Sequence, residues 1–504
     1  MTIGFNYIPG SGLTAPIFAF EVNSGGQYSA VDALVLMGHK LSAGTMALNT
    51  PTVVASQADA DALAGPGSML REMYRLAAMN APATPIKLLA VAEPSGAQAL
   101  WTISIGSLPA GGGVAVVEIQ GKRISVGVSA TDTPTTVAQA LGAAINAYYD
   151  SVTGAMLQVV AQTPITTATI LLNARHVGAI MNDIDIYVPA SVVGNVLAAS
   201  GVWTLTATTA GAGIPTLSSA LAALGDDPAD FIVSPWSDST STAAYASITN
   251  DVSGRWAWSR QSYGHVWSVF TGTFSASTTL GLALNDRHLT VLRRWSGAMD
   301  PSWTWAAAVT ARLAPWLSDC VTGNVSRNQT NLPVVGLRGL RDRSGLDQYS
   351  ARNTLVNSGI STMNQLADGT VVIDKIVTTY RAGPQGQPDT VFRDIQAVYQ
   401  VAGGLGYIRS AMQTECGNKG LVNSNPGNLA ALVTPSDIKA SFMHAYSDLC
   451  NAGVFQNLDG VTRALIVAYD SANPDRVNIY AAFERVNPGD IFATNATIYQ
   501  RLPA

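Results

Sequence analysis

Three stretches taken in order decide the fold: VDALVLMGHK (31–40), AGPGSMLREMYRLAAMN (64–80) and PIKLLAVA (85–92). The first holds an unbroken apolar run that ends in Gly38, the pattern of a strand buried on both faces. In the second, Ser68 can cap a helix whose apolar residues Leu70, Met73, Leu76 and Ala77 share one face. The third is another buried strand, running from Ile86 to Ala92. Strand, helix and strand at this spacing form a β-α-β unit, and a right-handed crossover onto a parallel sheet is its usual outcome.

Beyond Ser95 the pattern changes to Thr/Val/Ile/Ala alternation punctuated by glycine, at Val114 to Ile119, Arg123 to Val128, Gln158 to Ala161, Thr167 to Leu172 and Trp203 to Thr208. One helix, Thr135 to Tyr149, interrupts it. This predicts a small β-rich domain over 95–209. After the linker GAGIP (211–215) the α/β alternation resumes, with a helix at Thr216 to Leu224 and strands at Phe231 to Ser234, His265 to Thr271, Leu289 to Arg293 and Leu332 to Leu337. The α/β domain is therefore split, over 28–94 and 210–383.

A terminal α+β domain is expected over 384–487. It opens with a helical region from Pro384 to Gln413, broken at Gly403-Gly404. A second helix starts at Thr434-Pro435-Ser436-Asp437, a cap residue followed by proline at the first helical position. Alternating strands at Val461 to Tyr469, Arg476 to Phe483 and Asp490 to Gln500 follow, the last in a strand-forming tail over 488–504. At the other end, residues 1–27 have no helical period but carry apolar runs at Phe5 to Ile8 and Ile17 to Val22. Such an arm can add as a strand to another subunit's sheet or pack back on its own domain.

A chain of 504 residues makes about three or four domains. Only 12% of it is charged and 47% is hydrophobic, with mean hydropathy +0.21. Against roughly 25% charge in an ordinary globular protein, that leaves surface suited to neighbours, or else the large cores of an enzyme. Net charge is −5 and no run of Lys or Arg could neutralise a row of phosphates, so nucleic acid is not an expected partner. Residues 1–10 lack a signal pattern and no stretch of 18 apolar residues occurs, so neither standard export nor membrane insertion is expected. Cys320, Cys416 and Cys450 lie far apart without metal-type spacing, and read as buried free thiols.

No constellation of catalytic or metal-binding residues stands out. His39, His176, His265, His288 and His444 are scattered, with no helix-borne zinc pair. His39 follows the first buried strand, where α/β proteins place ligands, and is the most site-like of the five. Gly65-Pro66-Gly67-Ser68 opens a helix but lacks the lysine of a phosphate loop. Asp183-Ile-Asp185 and Asp226-Asp227 with Asp230 read as solvated turns or caps rather than acid/base pairs. The strip RGLRDRSGLD (338–347) suits either salt-bridged subunit contacts, through Arg338, Arg341, Asp342, Arg343 and Asp347, or an ordinary surface loop. No cofactor and no metal is expected.

LMGHK (36–40), AGPGSML (64–70), ARHVGAIMNDIDI (174–186) and NPGDIFATNATIYQRL (487–502), in this order along nearly the whole chain, resemble the contractile tail sheath proteins of myophages, in their Mu-like branch. The resemblance implies that the split α/β region is a subtilisin-like sheath domain in fold only, since no Asp, His and Ser stand in subtilisin-type motifs. It implies a structural, non-enzymatic subunit of a virion tail, assembled in the host cytoplasm as six-membered rings stacked helically around a tail tube, with baseplate and tail terminator proteins as further partners. Terminal arms would add strands to neighbours, here Ile17, Phe18, Phe20 and Val22 at one end and Ile491, Ala493, Thr497 and Tyr499 at the other. A tailocin or other contractile injection device is the near alternative, and an α/β hydrolase the distant one.

Overall fold

The computed structural model describes residues 33–199, 201–473, 475–496 and 498. The chain opens with β1 (Leu34–Gly38), β2 (Thr52–Val54), α1 (Gln57–Ala64), α2 (Met69–Asn80) and β3 (Ile86–Ala90), and β1 pairs in parallel with β3 as the sequence predicts. The Ser68 side chain accepts the Arg71 amide and so caps α2. This helix is buried on more than its apolar face, because Arg71, Glu72 and Arg75 are covered as well.

What covers them is the stretch that follows. It contains β4 (Gln98–Ile105), β5 (Gly113–Ile119), β6 (Lys122–Val128), α3 (Pro134–Asn146), β7 (Val159–Ala161), β8 (Thr169–Val177), β9 (Ile186–Tyr187) and β10 (Trp203–Thr209). These strands make two small antiparallel sheets, ordered β10-β4-β8-β7 and β6-β5-β9. Sequence reading missed β4, whose QALWTISI alternates cleanly, and stopped β8 too early, because Asn173, Arg175 and His176 break an apolar run while still paired in the sheet.

The chain then re-enters the first sheet through α4 (Ser218–Ala222), β11 (Phe231–Val233), α5 (Ser239–Thr249), β12 (His265–Gly272), α6 (Phe274–Ala283), β13 (Leu289–Trp295) and α7 (Ser302–Leu317). After them come β14 (Pro333–Arg338), α8 (Tyr349–Asn357), β15 (Ile360–Gln365) and β16 (Thr370–Lys375). The nine strands are ordered β14-β16-β15-β13-β12-β11-β1-β3-β2, parallel from β3 to β15 and antiparallel at both margins. Helix α7 lies deep in the core: Trp303, Trp305, Val309, Leu313 and Leu317 are fully buried, and its alanines let α2 pack closely against it. Pro315 falls in the last turn, so the bond it cannot donate to Ala311 O interrupts only the end of the helix.

The remainder holds α9 (Ile395–Cys416), β17 (Gly420–Leu421), β18 (Leu432–Val433), α10 (Pro435–Asn451), α11 (Leu458–Ala464), β19 (Ile466–Tyr469) and β20 (Val477–Tyr480). Three expectations need correction. The helical region begins at Ile395, not Pro384, and runs unbroken through Gly403-Gly404, where a side chain would strike Cys320 and the Phe455 ring: these glycines serve packing, not a break. Residues 461–464 belong to α11 rather than to a strand. Residues 490–496 form no strand within the chain. The expected cap of α10 is present, as a reciprocal Thr434/Asp437 capping box.

Candidate assembly surfaces and the histidine cluster

Two exposed apolar features stand out near the end of the chain. The β19–β20 hairpin leaves Ile466 and Tyr480 60% and 63% exposed, and the tail leaves Ile491, Phe492 and Ile498 at 83%, 89% and 93%. Of the residues expected to form arm strands, Ile491 and Ala493 are exposed and unpaired by any strand among the described residues, whereas Ile17, Phe18, Phe20, Val22, Thr497 and Tyr499 lie outside the described residues. Just before the tail the chain is firmly held. Gln400 donates to Val486 O at 2.8 Å, Asn328 donates to Gly489 O at 2.8 Å, and Lys375 bridges Asp394 (2.9 Å) and Asp490. Arg485 also reaches Asp394, at 3.5 Å. Burial pushes the Asp394 carboxyl up, but Lys375, Arg393 and Arg485 more than offset this and hold it below the usual carboxylate range.

The charged strip is largely engaged inside the chain. Arg341 pairs with Asp185 at 2.5 Å and Glu118 at 3.4 Å and lies over the Tyr187 ring, while Asp347 receives Arg293 at 2.6 and 3.0 Å. Arg338 bonds to Gly121 O. Asp342 accepts from Ser344 in a local turn, and Arg343 is exposed. The Asp183/Asp185 pair, expected as a solvated turn, is instead part of this joint: Asp183 accepts from Thr271 at 3.1 Å and lies 3.5 Å from Arg294. The β-rich stretch is thus wired to the nine-stranded sheet by charge. Asp226 does sit in an exposed turn, receiving Arg260 at 2.7 Å. Asp230 accepts from Ala33 N, and burial pushes its carboxyl up.

The same joint contains a buried ionic core. Glu72 accepts from Arg71 at 2.6 Å, from Arg75 at 3.0 Å and from the Met156 amide at 3.0 Å. Burial raises the Glu72 carboxyl, yet Arg75, Lys122 and Arg71 bring it below its ordinary value. Spacing alone could not show this, because on an isolated α2 Arg71, Glu72 and Arg75 form a solvent face.

At the carboxyl ends of β1, β3 and β11 stand His39, Glu93 and Trp236, joined by His176 from β8. His39 is fully buried; its Nδ1 donates to Val91 O at 3.1 Å, which leaves the Nε2 lone pair inward, without a partner. Burial, aided by His176 with ring centroids 5.7 Å apart, lowers its pKa to about 4, so the ring is neutral at pH 7. His176 bonds through Nδ1 to Glu93 at 2.6 Å and accepts the Met69 amide on Nε2 at 3.0 Å. A carboxylate–imidazole pair of this kind can act as a base, but here its lone pair is spent on capping α2. The GPGS turn is filled from the same side, Gln158 donating to Gly67 O at 2.9 Å. His265 and His288 bond to Thr290 and Asp251 elsewhere, and His444 is exposed. The three cysteines form no disulfide, as expected, but are half-buried rather than buried.

Comparison with known proteins completes the picture. The family described as phage tail sheath protein central domain matches residues 210–379. The chain is 28% identical to the Mu-like prophage FluMu tail sheath protein of Haemophilus influenzae, over 98% of this chain and 99% of that one. Among solved structures it is similar to sheath tail proteins of Desulfitobacterium hafniense (14% identity, TM-score 0.49, covering 94% of this chain and 97% of that one) and Listeria innocua (12%, 0.47, 91% and 92%). The chain thus carries a phage tail sheath protein central domain over residues 210–379 and is similar along nearly its whole length to a Mu-like prophage tail sheath protein.

Proposed function

We propose that this chain is the structural subunit of a contractile tail sheath, polymerising with itself around an inner tube and shortening to drive that tube through the host envelope. The observation that carries the reading is the tail: three exposed apolar residues, Ile491, Phe492 and Ile498, leave a root held by Lys375, Asp394 and Asp490, and the β19–β20 hairpin exposes Ile466 and Tyr480 as well. A lone soluble chain gains nothing from this arrangement, whereas a polymer gains a strand that can be given to a neighbour.

In this reading the subunits form six-membered rings stacked helically, bound by arms at 17–22 and 491–499, and the chain works in the virion tail after assembly in the host cytoplasm. Tail tube, baseplate and tail terminator proteins are its other partners. The nine-stranded sheet is the subtilisin-like sheath domain, and 95–209 and 384–487 are the inserted and C-terminal domains. It performs no catalysis, in keeping with a histidine–carboxylate pair whose base is occupied by a helix end. The extended sheath is a trapped state whose contraction buries further subunit surface, without nucleotide. Particles built from this chain are therefore expected to shorten on triggering with a nucleotide-destroying enzyme present; shortening only when ATP is supplied contradicts the proposal.

A further inference from the structure

Polymerisation through donated strands carries a hazard: any open sheet edge can capture the wrong strand. The edges of this chain are closed in an unusual way. In an extended strand one residue's N–H and C=O point to the same side, and a carboxamide offers one acceptor and one donor pair to match them. Asn80 closes the β14 margin in this manner, accepting Val335 N and donating to Val335 O, both at 2.9 Å. Asn146 does the same for Ala161 on the β7 margin, at 2.8 and 2.9 Å. Asn195 does it for Val116 at 3.0 and 3.1 Å, along the half of β5 that β9 leaves uncovered.

The other margins are blunted differently. β2 is three residues long and follows Pro51; β6 opens with Lys122-Arg123; β10 bulges between Ala207 and Thr209; β17 and β18 have two residues each. The β19–β20 hairpin is the exception. IVAY and VNIY pair in unbroken register, carry no charge, proline or glycine, and among the described residues no bond from outside the hairpin reaches their backbone.

We infer that Asn80, Asn146 and Asn195 are specificity residues of assembly, side-chain surrogates for a neighbouring strand that keep a second copy's arm off three sheet margins. The inference rests on the strand-exchange reading given above.

The test compares full-length wild type with Asn80→Ala, Asn146→Ala and Asn195→Ala by negative-stain microscopy and pelleting, at a temperature where circular dichroism shows all of them folded. Regular polymers are expected from wild type; the alanine variants should place about tenfold more protein in irregular aggregates, as for the loss of one or two net hydrogen bonds. Asn146→Asp is expected to restore regular polymers, because Asn146 is exposed and a charge keeps the margin closed even though the amide pair is broken. Wild-type aggregate levels in all three alanine variants overturn the inference. So does aggregation of Asn146→Asp equal to that of Asn146→Ala, the result for a merely stabilising residue. A full-length Ile491→Pro/Ala493→Pro variant tests the underlying reading by itself: lost polymers without extra aggregate support it, and intact polymers refute donation by this tail while leaving the alanine comparison to decide the guards.

Discussion

His176, carried by β8, accepts the amide hydrogen of Met69 at 3.0 Å and so completes the first turn of α2, a helix 107 residues away in sequence. Glu93 fixes the ring that does this, from the end of β3. The inserted stretch and the parallel sheet are therefore joined at the one helix that the β-α-β unit depends on.

Replacing His176 by alanine removes the acceptor and leaves both the Met69 amide and the Glu93 carboxylate without this partner. The expected loss is about 1–3 kcal/mol, read as a lower unfolding midpoint. His176→Gln, which can still offer an acceptor, should lose less.

The pH dependence follows from His39. The folded chain keeps it neutral down to about pH 4, whereas the unfolded chain protonates it near its ordinary 6.5. Between those values the unfolded state binds the additional proton, so stability is full above 6.5 and falls as pH drops through the window, by up to roughly 3 kcal/mol. Chemical denaturation between pH 7 and 4 measures this, and His39→Gln should flatten that part of the profile. His265, also held well below its ordinary value by burial, adds a slope of the same sign that His39→Gln leaves in place.

Glu72→Ala removes the buried carboxylate shared by Arg71, Arg75 and Lys122, leaving Arg71 only Asp61, at 2.7 Å, as a counter-charge. A cost of about 3–5 kcal/mol is expected. Hydrogen exchange should speed up around Gly154 to Gln158, which lean on this site through Gly154 O and the Met156 amide.

Gly404→Ala drives a methyl group to 2.5 Å from the Phe455 ring, which stacks on Tyr446 at 5.5 Å. Overpacking of this kind costs about 1–3 kcal/mol. Near-ultraviolet circular dichroism should report the displaced rings. A reading of Gly403-Gly404 as a helix break predicts no such change.

These sites differ in how far the sequence announces them. The parallel unit is legible because LVLMG and IKLLA are apolar throughout and Ser68 marks the helix start. ISTMNQ is not legible as the buried strand β15, because its polarity is hidden by partners remote in sequence: Ser361 donates to Val377 O and Thr362 to Asp374. Position at a strand end singles out His39, yet nothing local links Glu93 to His176, which stand 83 residues apart. Likewise RGLRDRSGLD shows its charges but not that Asp185, Glu118 and Arg293 answer them. Pairings made by tertiary closure leave no period in the chain.

The central claim is that the chain works as a polymer tied by its exposed tail, and negative-stain microscopy of the purified full-length protein beside Ile491→Asp/Phe492→Asp tests it most directly. Both residues are solvent-exposed, so the variant should fold unchanged. The account predicts tubes or stacked rings from wild type and their loss in the variant. A monodisperse monomer from the wild-type chain, or polymers indifferent to the two aspartates, would contradict it.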